Sequence, residues 1–285
     1  MAKKFKELLN QKSKGKLDVQ IYTDGQLGGQ TENCDGLRSG AVDLTIVDTG
    51  TIANYYPQFG IFDMPYVFTS RDQAIAVTKT DVAKTLSASA TKATEMRPLL
   101  INAIAYRYTF LKNKDIKNPE DLKGVKVRIP DTPSIKACFQ ALGATPVAMP
   151  SGEAYTAVQT GVTDGLEGNF EFVAQQKYYE VAPRCSLTQH VMTFTTLCMS
   201  EKVYQALSAE DKKAVDAAAA ESLDYFYSIS GNIENKYKKV LEEHKVTFTN
   251  VDIKACQAKC KPILEKFVND NKMKDIFDKI ESMAK

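Results

Sequence analysis

The chain has 285 residues, of which 44% are hydrophobic and 25% are charged. These fractions are typical of soluble globular proteins and exclude global disorder. No run of about 18 apolar residues is present, which excludes a membrane-spanning helix. The 37 basic residues nearly balance the 35 acidic ones, and a nucleic-acid-binding protein usually shows a clear basic excess, so no nucleic-acid partner is expected. The length predicts two domains of moderate size or one large one.

The N-terminal region has the pattern of an α/β unit. Its predicted elements are a helix that ends near Gly15, a strand with alternating Leu17, Val19 and Ile21, a turn at Asp24-Gly25, a helix from about Glu32 to Gly40, and a strand over about 42–47 that stops at Asp48. A strand, a helix and a strand in this order imply parallel pairing with a right-handed crossover. The first residues lack the apolar stretch of a signal peptide.

A second unit of the same kind follows. The predicted elements are a strand over 125–129 closed by Pro130, a helix over 133–142, a helix from Ser151 to Gly161 and a short strand over 162–164. Glu32, Gly40 and Asp43 recur as Glu153, Gly161 and Asp164 with identical spacing, which predicts two α/β domains of similar build. Later, a capping box at Ser208 opens a long helix that continues to His244 and bends at Gly231. A helical segment follows from about 252 to 285.

Enzyme signatures are scarce in this chain. No glycine-rich nucleotide loop and no nucleophile elbow are present, and the two histidines, His190 and His244, are isolated from each other. The six cysteines do not form the paired sets of a zinc site, and buried free thiols are the expected state in a chain of this length. We therefore expect no catalysis, no metal and no cofactor.

Charged groups at predicted strand ends indicate a binding site. In open α/β sheets ligands bind beyond the carboxyl ends of the strands, and Arg128, Arg107 and Asp48 stand at or near such ends. Two guanidinium groups in one cleft would recognise a carboxylate through paired charge-assisted hydrogen bonds. The alternative for each arginine is an ordinary surface ion pair, and the alternative for Asp48 is a turn or helix cap.

Several motifs, in order along the chain, resemble a known family. They are Gly25-Gln-Leu-Gly28, Ser39-Gly-Ala-Val-Asp43, Phe62-Asp-Met-Pro-Tyr-Val-Phe68, Asn118-Pro-Glu-Asp-Leu-Lys-Gly-Val-Lys-Val-Arg-Ile-Pro130, Ala141-Leu-Gly-Ala-Thr-Pro146, Glu153-Ala-Tyr-Thr-Ala-Val-Gln-Thr-Gly-Val-Thr-Asp-Gly165 and Leu187-Thr-Gln-His190. Together these motifs cover essentially the whole chain. They resemble the solute-binding proteins of tripartite ATP-independent periplasmic (TRAP) transporters, the DctP-like family.

The resemblance implies an α/β, two-lobed, periplasmic-binding-protein-like (type II) fold with a long helix bracing both lobes. The implied segments are 1–105 for the first part of lobe I, 106–192 for lobe II, 193–233 for the return to lobe I with the brace helix, and 234–285 for C-terminal helices on lobe II. Family members carry a signal peptide and a first strand ahead of the helix at Met1. Two alternatives stay open: the start of this sequence is trimmed or mis-assigned, or lobe I lacks that strand.

The resemblance also implies a ligand site closed between the lobes. Arg128 matches the family arginine that pairs with the ligand carboxylate, and Arg107 matches a second arginine. The other implied contacts are Asp48, Gly168 or Asn169, Gln189 and His190, the histidine acting in a polar network near the hinge.

The implied function is capture of a small organic acid, such as a C4-dicarboxylate or a sugar acid, in the periplasm for the membrane subunits of a TRAP transporter. Asp48 would favour a hydroxylated acid. A monomer is expected. Two alternatives stay open at this stage: an enzyme on the same two-lobed fold, and a ligand sensor that binds a receptor instead of transport subunits.

Overall fold

The computed structural model describes residues 1–23 and 25–284. In that part of the chain the α-helices are α1 (Ala2–Lys12), α2 (Gln30–Ser39), α3 (Thr49–Ala53), α4 (Arg71–Thr78), α5 (Asp81–Thr94), α6 (Pro133–Ala141), α7 (Ser151–Gln159), α8 (Phe170–Gln175), α9 (Glu201–Ala206), α10 (Ala209–Ile229), α11 (Ile233–Glu243), α12 (Ile253–Asp270) and α13 (Lys274–Ser282). Short 3-10 helices occupy Pro57–Asp63, Pro119–Leu122 and Tyr178–Glu180. None of the helices in these described ranges is both long and apolar enough to cross a membrane.

The strands form two sheets. They are β1 (Leu44–Asp48), β2 (Met96–Tyr106), β3 (Tyr108–Leu111), β4 (Lys126–Ile129), β5 (Thr145–Ala148), β6 (Gly165–Gly168), β7 (Arg184–Ser186), β8 (Met192–Ser200) and β9 (Thr247–Thr249). One sheet has the order β1-β8-β2, and the other has the order β5-β4-β6-β3-β7-β9. In the larger sheet β4 pairs in parallel with both β5 and β6, whereas β3 is antiparallel to β6 and β7.

The chain divides into two compact units. Unit 1 comprises residues 1–59, 78–102 and 195–231, and unit 2 comprises 60–77, 103–194 and 232–285. The chain changes units near 102, 194 and 231, within three residues of the lobe boundaries proposed from the sequence. Residues 60–77, which the sequence assigned to lobe I, group with unit 2.

Unit 1 has its core between α1, α10 and the small sheet. Phe5, Leu8 and Leu9 of α1 are buried, as their helical spacing predicts, and pack with Leu197 of β8 and Val215 of α10. Ser208 caps α10 by accepting a hydrogen bond from the backbone N–H of Asp211 at 3.1 Å. The N-cap predicted at Ser208 is therefore confirmed. The Asp211 carboxylate accepts from the Ser208 hydroxyl at 2.7 Å and does not bond the Ser208 backbone N–H as a capping box requires.

Unit 2 has one apolar cluster on each face of the six-stranded sheet. Val127 and Ile129 of β4 pack with Phe139 of α6 on one face. Leu166 of β6 packs with Phe170 of α8 on the other face. Because side chains alternate along a strand, the side chain of Arg128 projects from the same face of the sheet as that of Leu166, its partner in register.

Several predicted helices are confirmed. Helix α2 ends at Gly40, whose φ of 83° gives the left-handed cap expected there. Helices α6 and α7 occupy the two segments predicted around 133–142 and 151–161. The turn at Asp24-Gly25 lies partly outside the described residues.

Three predictions from the sequence are wrong. Residues 17–21 form no strand, because their alternating pattern has no ladder beside it, and Ile21 is exposed. Strand β1 therefore has no parallel partner there and pairs antiparallel with β8, far along the chain. The strand predicted at 162–164 begins at Gly165 instead. The Asp164 N–H donates to the carbonyl oxygen of Lys126, and the Asp164 carboxylate accepts the Lys126 N–H. These two hydrogen bonds hold Asp164 in the turn that precedes the strand.

The long helix is interrupted rather than bent. α10 ends at Ile229 in unit 1 and α11 begins at Ile233 in unit 2. Asn232, with φ −132° and ψ 25°, is not in a helical conformation. Gly231 precedes it, and glycine is unfavourable inside a helix because its backbone is so flexible. The C-terminal segment is likewise two helices, separated at Lys272, which adopts a φ of 54°.

Candidate functional site

The site residues of unit 2 lie along one edge of the six-stranded sheet. The carboxyl ends of the parallel strands β4 and β6 meet there, and β3 enters at the same edge because Tyr108 pairs with Gly168. Arg107 thus stands beside Asn169, and Arg128 stands two strands away near the end of β4. This is the edge at which open α/β sheets bind ligands.

Arg128 is a buried arginine held by the main chain. Only 3% of its surface is exposed, and its Nε and Nη2 donate to the carbonyl oxygen of Met149 at 3.1 and 2.7 Å. Met149 follows β5, so two adjacent strands set the orientation of the guanidinium. A guanidinium that is fixed in advance loses little side-chain entropy when it meets an anion.

Arg107 is paired with a carboxylate of the protein itself. Its Nε donates to Glu167 Oε2 at 2.5 Å and its Nη2 to Glu167 Oε1 at 2.6 Å, a bidentate arrangement. The side chains are 9% and 0% exposed. Arg107 thus makes an ion pair within the protein, as the alternative proposed, but the pair is buried and not at the surface.

His190 completes this network. Its Nε2 lies 3.1 Å from Glu167 Oε2, its Nδ1 lies 2.9 Å from the hydroxyl of Thr188, and that hydroxyl lies 3.2 Å from the hydroxyl of Thr109. An ionised Glu167 accepts hydrogen bonds only, so His190 donates from Nε2 and accepts at Nδ1. The hydroxyl of Thr188 then donates to His190, and the hydroxyl of Thr109 donates to Thr188.

The titration of the pair follows from burial and charge. Burial favours the neutral acid at Glu167, but the charge and hydrogen bonds of Arg107 and the hydrogen bond of His190 outweigh burial and lower the pKa of Glu167 to about 2. Burial lowers the pKa of His190, opposed by the hydrogen bond to Glu167. The stable state is a carboxylate, a guanidinium and a neutral imidazole.

Gly168 and Asn169 have structural contacts that define the end of β6. A Cβ at Gly168 would lie 2.7 Å from Cδ1 of the Phe172 ring, so the close packing of α8 requires glycine there. The side-chain oxygen of Asn169 caps α8 by accepting the Phe172 N–H at 2.8 Å, and its Nδ2 donates to Thr193 at 3.4 Å. Their role as ligand contacts stays a prediction.

The two remaining predicted contacts stand apart from this network. Gln189 is exposed and has a φ of 43°. Asp48 belongs to unit 1, where it ends β1 at the start of α3. Its Oδ2 accepts from Nε2 of Gln30 at 3.2 Å, and its N–H donates to Oε1 of Gln30 at 2.7 Å.

Sequence reasoning missed Glu167, the residue on which the network depends. A signal was available, since Glu167 is the acid in the short segment Gly165-Leu-Glu-Gly168, and an acid inside a buried strand needs a cationic partner. The carbonyl oxygen of Met149, which accepts from Arg128, could not be found in this way, because a main-chain carbonyl has no sequence signature. Within the described ranges, His, Cys, Asp and Glu residues form no group of three or more that could hold a metal ion.

A family model for bacterial extracellular solute-binding proteins, family 7 (DctP), matches residues 1–271. The 2,3-diketo-L-gulonate-binding periplasmic protein of Escherichia coli is 28% identical over 89% of this chain and 77% of its own length. The C4-dicarboxylate-binding periplasmic protein of Rhodobacter capsulatus is 28% identical over 86% of this chain and 74% of its own length.

Solved structures of TRAP periplasmic solute-binding proteins have the same fold. One from Bordetella bronchispeptica, with density interpreted as pantoate, superposes with a TM-score of 0.94 at 28% identity, covering 100% of this chain and 94% of its own. One from Roseobacter denitrificans, with bound β-D-glucuronate, has a TM-score of 0.93 at 28% identity and covers 98% of this chain and 93% of its own. The α/β periplasmic-binding-protein-like fold predicted from the sequence is confirmed. The chain belongs to the bacterial extracellular solute-binding protein family 7, the DctP family of TRAP transporter solute-binding proteins.

Proposed function

We propose that this protein binds a hydroxylated organic acid of the sugar-acid class in the periplasm and delivers it to the membrane subunits of a TRAP transporter. The observation that carries the proposal is Arg128, a buried guanidinium oriented by Met149 at the ligand-binding edge of the sheet. An arginine fixed in this way suits the planar, bidentate recognition of a carboxylate.

The class of acid is supported by the relatives. The Escherichia coli relative is named for 2,3-diketo-L-gulonate, and the Roseobacter denitrificans structure holds β-D-glucuronate. The Rhodobacter capsulatus relative, named for C4-dicarboxylates, has the same 28% identity, so identity alone does not separate the two classes. A second carboxylate would be repelled by an acid beside it, whereas a hydroxyl would donate to it. We assign Asp48 to that role and therefore favour the sugar acid.

Arg107 has a different role in this proposal. Because Glu167 takes up its Nε and Nη2, we assign Arg107, Glu167 and His190 to positioning the edge of the sheet, and Arg128 to the ligand carboxylate. The resemblance implied that both arginines contact the ligand. Our proposal differs from that expectation at Arg107, and ligand contact by either arginine has yet to be tested.

Thermal unfolding against matched ligands tests the class. Glucuronate and galacturonate are compared with glucose and galactose, which lack the carboxylate, and with succinate, which has two carboxylates and no hydroxyl. A ligand at about 100 times its dissociation constant adds about 2.7 kcal/mol to the free energy of unfolding. We expect a rise in Tm with at least one sugar acid and none with its neutral sugar. Equal shifts with glucose and glucuronate, or turnover of the acid, would contradict the proposal.

Calorimetric titration of Arg128→Ala with the acid found in that screen tests the residue. Loss of one partner of a buried ion pair costs about 3–5 kcal/mol, so affinity should fall on the order of 100-fold or more. The control is Arg38→Ala, an exposed arginine paired with Asp35 at 3.6 Å, which should bind as the parent does. Binding of the acid by Arg128→Ala within a few-fold of the parent would remove Arg128 from the site.

A further inference from the structure

Three thiols lie in one apolar cluster of unit 2. Cys138 comes from α6, and Cys256 and Cys260 come from α12. The Sγ atoms of Cys138 and Cys260 are 3.8 Å apart, and both residues are free and buried. A disulfide has an S–S length of about 2.05 Å, so these thiols are in contact but not bonded.

The arrangement selects one pair among the three. Cys256 and Cys260 lie four apart on one helix, where helix geometry strains a bond between them. Tyr66, from another segment, also packs against this cluster. Cys138 and Cys260 approach instead from two helices that pack against each other.

We propose that Cys138 and Cys260 are a redox pair, which joins α6 to α12 through a disulfide when the chain meets an external small-molecule disulfide. One thiolate attacks a sulfur of the external disulfide, forms a mixed disulfide and releases the first external thiol. The second cysteine thiolate then attacks its partner's sulfur, forms the S–S bond and releases the second. The two cysteines lose two protons and two electrons, and the external disulfide gains them.

The position of the pair gives the bond a structural consequence. The two residues are 122 positions apart, and a crosslink that closes a long loop removes much conformational entropy from the unfolded chain. Helix α6 follows β4, the strand that carries Arg128, after only a short connection. The bond would therefore fasten the C-terminal segment to the helix that lies behind the ligand-binding edge.

Burial determines when the bond can form. The thiolate is the attacking species, and the hydrogen bond with Cys260 together with burial raises the pKa of Cys138 well above its usual value. Oxidation of the folded, reduced protein should therefore be slow, and oxidation during folding should be fast. The relatives named above are periplasmic proteins, and the bacterial periplasm is an oxidising compartment.

Mapping the linkage after refolding tests the proposal. The reduced parent chain is refolded from denaturant in a buffer of reduced and oxidised glutathione, quenched with acid, alkylated and digested for mass spectrometry. We expect a peptide that links Cys138 to Cys260, a mass lower by about 2 Da for the intact chain because two hydrogens are lost, and two fewer alkylated thiols. The oxidised form should unfold several degrees higher than the reduced one, since such crosslinks stabilise by a few kcal/mol.

Two variants separate the pair from the other thiols. Cys185→Ala removes a buried cysteine of unit 2 that lies in the other apolar cluster, and this variant should keep the linkage and the rise in Tm. Cys260→Ala should lose both. A folded parent that keeps all six thiols alkylatable after refolding, or that links Cys138 or Cys260 mainly to another cysteine, would overturn the proposal. The map of the parent decides this even if a variant fails to fold.

Discussion

Two arginine–glutamate pairs of similar geometry lie in the two units. In unit 1 Arg97 Nε and Nη2 donate to Glu201 at 2.6 and 2.9 Å, and in unit 2 Arg107 donates to Glu167 at 2.5 and 2.6 Å. Their surroundings differ. The side chains of the first pair are 28% and 21% exposed, and those of the second are 9% and 0% exposed.

The difference teaches that bidentate geometry alone does not determine the energy of an ion pair. At the partly exposed pair, water solvates either charge when the other is removed, so the pair contributes little. At the buried pair, each charge depends on its partner, and loss of one leaves the other without compensation. The buried pair also holds His190 and, through it, two threonines.

The largest expected effect is that of Arg107→Met on stability. It leaves the Glu167 carboxylate buried without the guanidinium, and we expect the free energy of unfolding to fall by about 3–5 kcal/mol in a urea titration. Adding Glu167→Gln should recover at least half of this loss, because the uncompensated charge disappears while an oxygen still accepts from His190. If the double variant is less stable than Arg107→Met, the pair does not act through charge.

Acid should weaken the parent through Glu167. Its pKa is about 2 when folded, against 4.5 for the ordinary side chain, so the unfolded chain binds the proton first. The stabilisation is present above pH 4.5 and is lost as the pH falls towards 2, a change of about 3 kcal/mol. Urea titrations at several pH values in this range give the free energy of unfolding at each pH. This free energy should fall less steeply with falling pH for Glu167→Gln than for the parent. An equal pH dependence in both would contradict the assignment.

A smaller dependence is expected from His190 at higher pH. Burial lowers its pKa, against the opposing effect of Glu167, so the unfolded chain takes up a proton below pH 6.5 while the folded chain does not. Stability should be full above pH 6.5 and should decline as the pH falls below it. His190→Gln should flatten this part of the profile.

The smallest effect is expected at the partly exposed pair, Arg97 with Glu201. Arg97→Met should lower the free energy of unfolding by about 0–1 kcal/mol, although its guanidinium also lies 4.0 Å from the centre of the Tyr204 ring. Measured beside Arg107→Met in the same buffer, it isolates the contribution of burial. A loss at Arg97 as large as that at Arg107 would show that burial does not separate the two pairs.

The sequence by itself determined the family and much of the local structure. The family followed from motifs that occur in order along the chain. The local structure followed from caps such as Ser208 and the left-handed Gly40, because caps and turns depend on neighbouring residues. The position of Arg128 near the end of a strand was also readable, since the strand and the proline that closes it are adjacent in the chain.

Only the tertiary structure decided which groups meet. The antiparallel partner of β1, the pairing of Arg107 with Glu167 and the contact of Cys138 with Cys260 all join residues that are distant in the chain. Such contacts arise from strand register and helix packing, and a residue's local pattern contains neither. Arg107 and Arg128 therefore have similar local sequence patterns, although the partner of one is the Glu167 carboxylate and the partner of the other is the Met149 carbonyl.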